Sequence, residues 1–151
     1  MNNQLWAPKT WELFHVLIEK SKEESIPYIK SILIHIITII CKSLPCPTCR
    51  KHASNLLEGY KHYNLLTSKS HFRWWIWDFH NIVNNKLNKP IFSYEDINKY
   101  NTYNLNNTFI EWNKHFKIQN HDLQVFTDKQ LILNTKNMVR NLLTCHQKHF
   151  T

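Results

Sequence analysis

Residues 75–90 read WIWDFHNIVNNKLNKP, and they are the clearest indication of how this chain folds. Their apolar side chains recur every three or four positions, which is the spacing of an amphipathic helix. Pro90 ends that helix. His80 and Asn84 stand four positions apart and therefore share one face. The pattern predicts a helix over residues 69–88 with polar side chains on one stripe.

The rest of the chain also predicts helices and no sheet. Pro8 and Pro27 each suit the first turn of a helix, because that turn does not need the N–H that proline lacks. The sequence has one glycine, Gly59, whereas hairpins, Rossmann loops and P-loops rely on glycine for positive φ or close backbone approach. Gly59 suits the C′ position of a third helix. The predicted helices span residues 8–24, 27–43, 47–58, 69–88 and, after a Ser93-x-x-Asp96 capping box, 93–100.

The second helix is apolar nearly all the way round, which predicts a central place in a bundle. Its most apolar part, Ile32 to Cys41, is too short to span a bilayer and indicates a buried helix. From about Asn101 the composition shifts toward Asn and Thr, which predicts a linker before a last helix from about Thr127. We therefore divide the chain into a domain over residues 1–100 and a C-terminal extension over 101–151.

The chain carries a formal net charge of +8, but its basic residues are scattered rather than grouped. Scattered charge is typical of a solvated basic surface. Nucleic-acid binding is kept only as a distant alternative, ranked third. Lys and Arg are interleaved with aromatic residues, but no recognisable nucleic-acid-binding motif accompanies them. The first four residues hold no apolar signal region. We expect a soluble protein made in a reducing compartment, where paired cysteines are more often catalytic or metal-binding than structural.

Cys46-Pro47-Thr48-Cys49 is the strongest chemical signal in the sequence. Two residues between cysteines allow the sulfurs to meet within one helical turn and to exchange a disulfide. A helix N-terminus also stabilises a thiolate and lowers its pKa. Thioredoxin-like proteins use the same spacing on a βαβ scaffold, but the flanking sequence here is helical.

Zinc is the competing interpretation of the same cysteines. A closed zinc site needs four ligands, and Cys46, Cys49 and His52 supply three. Cys145, His146 or His149 could supply the fourth. The cysteines alone leave redox chemistry and zinc binding evenly balanced.

Three separated segments together resemble one known family. Trp6 to His15 is similar to a W-G-x-x-x-W-x-x-x-H pattern, and Cys46 to Cys49 is followed by His52. His80 to Pro90 is close to H-N-x-V-N-x-x-L-x-K-P. Together these segments resemble the Erv/ALR sulfhydryl oxidases, most closely the short forms of large DNA viruses. The resemblance covers about residues 5–100.

The resemblance implies an all-α fold: a four-helix bundle with a short fifth helix, here followed by a helical C-terminal extension. It implies non-covalently bound FAD, no metal, and usually a homodimer. It also implies a catalytic pair, Cys46 facing substrate and Cys49 facing the flavin, that passes electrons from dithiols to FAD and then to O2, giving H2O2. The cofactor-binding positions it implies are Lys9, Thr10, Trp11, His15, Cys49, His52, Trp75, His80, Asn81, Val83, Asn84, Lys86 and Lys89.

By the same resemblance, the substrate is a thiol-containing protein, expected to be a small C-x-x-C carrier. No nucleic-acid partner and no membrane span are expected. The expected location is the cytoplasm, of an infected host cell if the chain is viral, with packaging in virions as a second option.

This sequence departs from the family pattern at several positions. Ala7 replaces the usual glycine, and Trp77 and Tyr94 stand near where many cellular members carry a structural disulfide. There is no second C-x-x-C. Cys145 could relay electrons to the redox pair, cross-link a dimer or be an unpaired thiol, and we favour the unpaired thiol. Cys41 is expected to be a buried small hydrophobic residue, with a Cys41–Cys145 disulfide as the alternative.

Overall fold

A computed structural model of the chain describes residues 5–118 and 125–151, the latter without the side chains of 125–127. These residues form α-helices joined by short 3₁₀ segments, and their one β feature is an isolated bridge between Ser21 and Phe150. The predicted all-α class is confirmed. The α-helices are α1 (Trp6–Glu19), α2 (Ile26–Cys41), α3 (Pro47–Glu58), α4 (Lys69–Lys86), α5 (Leu105–His115) and α6 (Val125–Cys145), and 3₁₀ segments span Glu23–Ser25, Tyr63–Leu65, Tyr94–Thr102 and Gln147–His149.

The centre of the bundle is α1, which packs against α2, α4, α5 and the 3₁₀ segment Tyr94–Thr102. Every residue from Leu13 to Glu19 is buried. Several polar side chains of α1 have partners, whereas His15 Nδ1 has no hydrogen-bond partner among the described residues. The Thr10 hydroxyl donates to the Trp6 carbonyl at 2.6 Å, and Glu19 forms an ion pair with Arg73 at 3.1 Å.

The expectation that α2 occupies the centre is wrong. Its fully buried residues lie on one face, against α1, α3 and α6, while Tyr28 is 76% exposed. Together with the preceding turn, Glu23–Cys41 is 19 residues long and apolar enough, by length and composition only, to cross a membrane. The core helix of a soluble protein passes the same test, and in this structure 44% of the stretch is buried.

The linker predicted after Asn101 is also wrong, because α5 occupies that region. The Asn104 side chain accepts a hydrogen bond from the Asn107 backbone N–H at 2.9 Å and caps α5, so an Asn-rich stretch here starts a helix. Trp112 is fully buried. Its indole N–H donates to the Thr10 hydroxyl oxygen at 3.2 Å, which ties α5 to α1.

The last helix, α6, packs along α2. It begins beside α3, where Arg50 donates two hydrogen bonds to the Asp128 carboxylate at 3.1 and 3.2 Å. It ends beside the α1–α2 connection, where the Lys22 backbone N–H donates to the His149 carbonyl at 2.9 Å. The helix starts at Val125, before the predicted Thr127, whose side chain lies outside the described residues.

Several helix ends differ from the sequence prediction. Gly59 follows α3 with φ −75°, so it is not in the left-handed conformation, which Asn88 adopts instead with φ 56° after α4. The Ser93 hydroxyl donates to the Glu95 carboxylate at 2.6 Å rather than accepting from a backbone N–H, so the predicted capping box is absent. The segment it precedes is a 3₁₀ helix. α1 ends at Glu19, because the chain turns there to form the bridge to the C-terminus.

Trp77 of α4 and Tyr94 of the segment that follows it form an aromatic pair. The Trp77 and Tyr94 rings pack edge to face with centroids 5.6 Å apart. The Trp77 indole N–H also donates to the Phe92 carbonyl at 2.7 Å. These contacts hold the segment after α4 against that helix without a covalent link.

Removing the buried indole of α5 tests whether residues after 101 belong to the core. We expect Trp112→Ala to lower the free energy of unfolding by about 3–5 kcal/mol, because a large buried side chain leaves a cavity. Trp74, which is 49% exposed, is the matched control, and Trp74→Ala should cost less than about 1 kcal/mol. Urea denaturation of both variants measures the difference, and equal losses would contradict the packing of α5 on α1.

Candidate active site

A cavity of about 510 Å³ opens between α1, α3, α4 and the segment that follows α4. Its size lies within the usual range for small-molecule sites, ~300–1,000 Å³. Aromatic rings form much of its wall, and three lysines stand around it. The residues that line the cavity include Trp11, Glu12, Cys41, Cys49, His52, Phe79, His80, Val83, Asn84, Lys86, Lys89, Phe92, Lys99 and Tyr100.

The structure brings most of the sequence-predicted cofactor positions to this one cavity. α4 contributes residues three and four positions apart, which lie on one helix face. Lys89 reaches the cavity from the loop, where its backbone N–H donates to the Asn84 carbonyl at 2.8 Å. The predicted positions that line the cavity are Thr10, Trp11, Cys49, His52, His80, Val83, Asn84, Lys86 and Lys89.

Four predicted positions do not line the cavity. Lys9 forms an ion pair at 3.4 Å with Glu12, which lines the cavity. Trp75 is 3% exposed and packs with its ring edge toward Tyr63 and Phe72. His15 and Asn81 lie one layer behind the wall.

Asn81 holds the loop that follows α4. Its side-chain oxygen accepts from the Phe92 backbone N–H at 2.8 Å, and its amide donates to the Phe92 carbonyl at 3.0 Å. These two hydrogen bonds join the Asn81 side chain to both backbone polar groups of Phe92. Asn81 therefore positions Phe92, a wall residue, rather than reaching the cavity itself.

His15 supports His80 from behind. His15 Nε2 lies 3.0 Å from His80 Nδ1, and the His15 ring stacks on Tyr100 with centroids 4.9 Å apart. On the cavity side, His80 stacks on Trp11 at 4.0 Å with 9° between the planes. The result is a layered set of flat rings from the core of the bundle to the cavity wall.

Sequence reasoning missed Phe92, Lys99 and Tyr100. All three belong to the loop and 3₁₀ segment after Pro90, where no helical periodicity marks a common face. The Lys99 ammonium lies 5.4 Å from the Phe92 ring centroid and 5.1 Å from that of Tyr100, which are favourable cation–π distances. The only sequence signal was a lysine in a short segment rich in aromatic residues.

Cys46 and Cys49 form a disulfide at the start of α3. Cys46 is the N-cap residue, and its sulfur accepts a hydrogen bond from the Cys49 backbone N–H at 3.3 Å. Cys49 lines the cavity. Cys46 does not, and its sulfur lies 3.3 Å from the hydroxyl of Thr48, an exposed residue that also lines the cavity. The disulfide therefore lies at the edge of the cavity, with Cys49 on its wall and Cys46 just outside it.

The alternatives that require Cys145 to meet Cys41 or the redox pair within one chain do not fit this geometry. Asp128 and Cys145 lie near opposite ends of α6, about 25 Å apart at ~1.5 Å per residue, and Asp128 is the end beside the redox pair. Cys145 is exposed and Cys41 is buried, both as free thiols. A Cys41–Cys145 disulfide, a relay within one chain and a zinc site completed by residues 145–149 are therefore wrong. In residues 5–118 and 125–151, no three His, Cys, Asp or Glu side chains cluster as a metal site.

Burial controls the charge state of the cavity histidines. Burial, then His80 and Lys99, lower the pKa of His15 to about 3. Burial, then Lys99 and Lys89, lower the pKa of His80 to about 4. Burial and the nearby Lys86 also lower the pKa of His52. All three imidazoles are neutral at physiological pH.

This burial predicts acid sensitivity. Because the unfolded chain protonates His15 near pH 6.5 and the folded chain resists protonation, stability present above that pH is lost as the pH falls toward 4. We expect His15→Gln to remove about 2 kcal/mol of the loss in unfolding free energy between pH 7.5 and pH 5. His35→Gln, at an exposed position, should leave that loss unchanged. Urea denaturation at pH 7.5 and pH 5 measures the unfolding free energy of the wild type and of both variants. An identical pH dependence in all three proteins would contradict the role assigned to His15.

Comparison with known proteins agrees with the cavity and the disulfide. The family model described as the Erv1 / Alr family matches residues 8–103. A protein named FAD-linked sulfhydryl oxidase from a Malawi tick isolate of African swine fever virus is 32% identical over 117 residues, covering 72% of this chain and 89% of that protein. Its counterpart from a Namibian warthog isolate is 34% identical over 99 residues, covering 60% and 75%.

A plant relative shares the same core. The FAD-linked sulfhydryl oxidase ERV1 of Oryza sativa subsp. japonica is 28% identical over 89 residues, covering 59% of this chain and 45% of that protein. No solved structure matches the chain significantly. The family match spans α1 to α4 and the 3₁₀ segment that follows them, which together build the cavity and carry the disulfide. The chain therefore belongs to the Erv1/Alr family.

Proposed function

We propose that this chain is an FAD-dependent sulfhydryl oxidase that makes disulfide bonds in thiol-bearing proteins. One observation carries the proposal: the Cys46–Cys49 disulfide lies at the edge of the aromatic cavity, with Cys49 on the cavity wall and Cys46 outside the lining. This arrangement separates the side that receives substrate thiols from the side that delivers electrons. The names of the viral and plant relatives support the same activity.

The residues of the cavity fit FAD. Flat aromatic walls suit a stacked ring system, and His80 and Trp11 offer such planes. Lys86, Lys89 and Lys99 all line the cavity, and together they can neutralise a pyrophosphate. Side chains from several helices thus do what a glycine-rich loop does in Rossmann proteins. FAD bound here supplies an acceptor for two electrons beside Cys49.

The first chemical step belongs to the cysteines. A substrate thiolate attacks the Cys46 sulfur, the Cys46–Cys49 bond breaks, and Cys49 leaves as a thiolate. The second substrate thiolate then attacks the substrate sulfur of the mixed disulfide and releases Cys46. The substrate has lost two electrons and the Cys46–Cys49 pair has gained them.

The start of α3 stabilises the leaving group. Cys49 lies in the first turn, where unpaired N–H groups and the helix dipole favour negative charge and lower the thiol pKa. His52 follows one turn later on the same cavity wall. Burial and Lys86 lower its pKa, so the His52 ring is neutral beside the Cys49 thiolate. Molecular oxygen is the proposed final acceptor and hydrogen peroxide the product.

The family resemblance extends the proposal to partners and location. The proposed substrate is a small C-x-x-C carrier protein. In Cys49→Ser with Cys46 already held as a disulfide to an aromatic thiol, a carrier that keeps only one of its two cysteines should displace that thiol and stay attached to Cys46 as a mixed disulfide. The proposed active form is a homodimer, testable by light scattering. The proposed location is the cytoplasm of an infected cell and the virion, testable by fractionation.

Removing either redox cysteine separates cofactor binding from turnover. We expect Cys46→Ser and Cys49→Ser to keep the visible absorption of bound flavin and to lose more than about 99% of dithiothreitol oxidation, because neither can form the exchanging disulfide. The control is Cys145→Ser, which should retain activity within about two-fold because Cys145 lies at the far end of α6. A colourless wild-type protein that takes up no added FAD would contradict the proposal.

Lys99 tests the cofactor assignment at a residue that sequence patterns did not reveal. We expect Lys99→Glu to weaken FAD binding at least ~10-fold, equivalent to about 1.4 kcal/mol, because a cation near the phosphates becomes an anion. Lys148→Glu, which makes the same charge change at an exposed position beside the α1–α2 connection, should leave the Kd unchanged. Flavin fluorescence titration of the apoprotein measures both. Equal affinity in the two variants would remove Lys99 from the site.

A further inference from the structure

A second concave surface lies on the opposite face of α3 from the cofactor cavity. It is a groove of about 590 Å³ lined by Pro47, Arg50, Lys51, Ser54 and Asp128. The α3 residues in this set recur every three or four positions and so form one stripe, whereas Cys49, His52 and Ala53 face the cavity. Pro47 directly follows Cys46. The groove therefore begins at the disulfide, on the side open to solvent.

The second wall of the groove comes from the C-terminal helix. Asp128, in the first turn of α6, receives two hydrogen bonds from the Arg50 guanidinium. The two side chains are only 18% and 30% exposed, so the pair is partly shielded from solvent and holds α6 against the redox helix. The family model match ends at residue 103, before α6 begins. This wall is thus an addition to the family core.

We propose that the groove between α3 and α6 receives the segment of the substrate protein that flanks its attacking cysteine, and that Lys51 selects segments with an acidic side chain. The proposal rests on the proposed function and specifies its substrate. It gives the C-terminal extension a role in substrate choice.

Charge complementarity identifies this occupant. The Arg50 charge is matched by Asp128, while Lys51 is exposed and has no ion-pair partner among residues 5–118 and 125–151. The nearby α3 N-terminus adds partial positive charge. A second copy of this chain carries the same +8 charge and is electrostatically disfavoured there. An acidic segment is the complementary partner.

Geometry sets where the acidic residue should stand. Lys51 follows Cys46 by just over one helical turn, about 7 Å along α3 at ~1.5 Å per residue. An extended chain covers that distance in about two residues at ~3.3 Å each. The acidic side chain should therefore lie two or three positions from the substrate cysteine that attacks Cys46.

The test uses the flavin-loaded full chain and a pair of reduced C-x-x-C peptides. The peptides differ only by Glu or Lys placed two residues before the first cysteine. Each kcat/KM is divided by the dithiothreitol oxidation rate of the same protein variant. We expect the wild type to prefer the Glu peptide at least ~5-fold, and this preference should decrease as salt screens the charges.

Two substitutions should move this preference in opposite directions. Lys51→Glu should abolish or reverse it, because the unpaired cation becomes an anion. Asp128→Asn should increase it, because Arg50 loses its carboxylate partner and becomes a second cation in the groove. A purely structural role for these residues would not produce opposite changes. The control is Lys61→Glu, which makes the same charge change at an exposed residue after α3 and should leave the ratio unaltered.

The results that would contradict the groove proposal differ from those that would contradict the proposed function. Equal rates for the two peptides in the wild type would overturn the proposal, as would parallel changes for both peptides in Lys51→Glu and Asp128→Asn. If Lys51→Glu instead changed the oligomeric state, the groove would be a contact between copies of the chain, and the proposal would again be wrong. Absence of bound flavin and of dithiothreitol oxidation in the wild type would contradict the proposed function itself.

Discussion

The enclosure of α1 is the constraint on which the other elements depend. Every residue from Leu13 to Glu19 is buried, so α1 needs neighbours on nearly all sides. Burying polar groups in such a helix is favourable only when each finds a partner. Arg73 of α4 pairs with Glu19, and Trp112 of α5 bonds to Thr10. The contacts that satisfy α1 therefore also fix the helices that surround it.

The same enclosure organises the site. His15, buried in α1, holds His80 of α4 at 3.0 Å, and Trp11, one turn earlier, stacks on the same ring. The cavity wall is thus a continuation of the core. Rigid support of this kind suits a cofactor that must be held close to a sulfur atom. It also explains why burial dominates the lowered pKa values of both histidines.

One face of the redox helix α3 lines the cofactor cavity and the opposite face lines the groove, and the disulfide lies at the first turn of the helix between them. Cys49 lines the cavity, and Cys46, the N-cap residue of α3, lies just outside the lining. The groove beside Cys46 is completed by Asp128 of α6. A residue beyond the family match therefore lines the groove beside the redox pair, while the cofactor cavity is built from residues of the match together with Trp6 and Ala7, which directly precede it. The family chemistry can stay constant while the substrate surface varies.

The amino-acid sequence by itself determined the features that depend on neighbours along the chain. Helical periodicity and a single glycine indicate the all-α class, because turns and helices form from residues a few positions apart. The C-x-x-C spacing alone left redox chemistry and zinc binding evenly balanced, and the resemblance of three separated segments to the Erv/ALR family favoured the redox pair. Tertiary structure alone decided that α5 packs into the core, that Lys99 joins Lys86 and Lys89 at one cavity, and that Cys145 lies far from the redox pair. These outcomes depend on which surfaces bury one another across distant parts of the chain, and local patterns carry no record of that pairing.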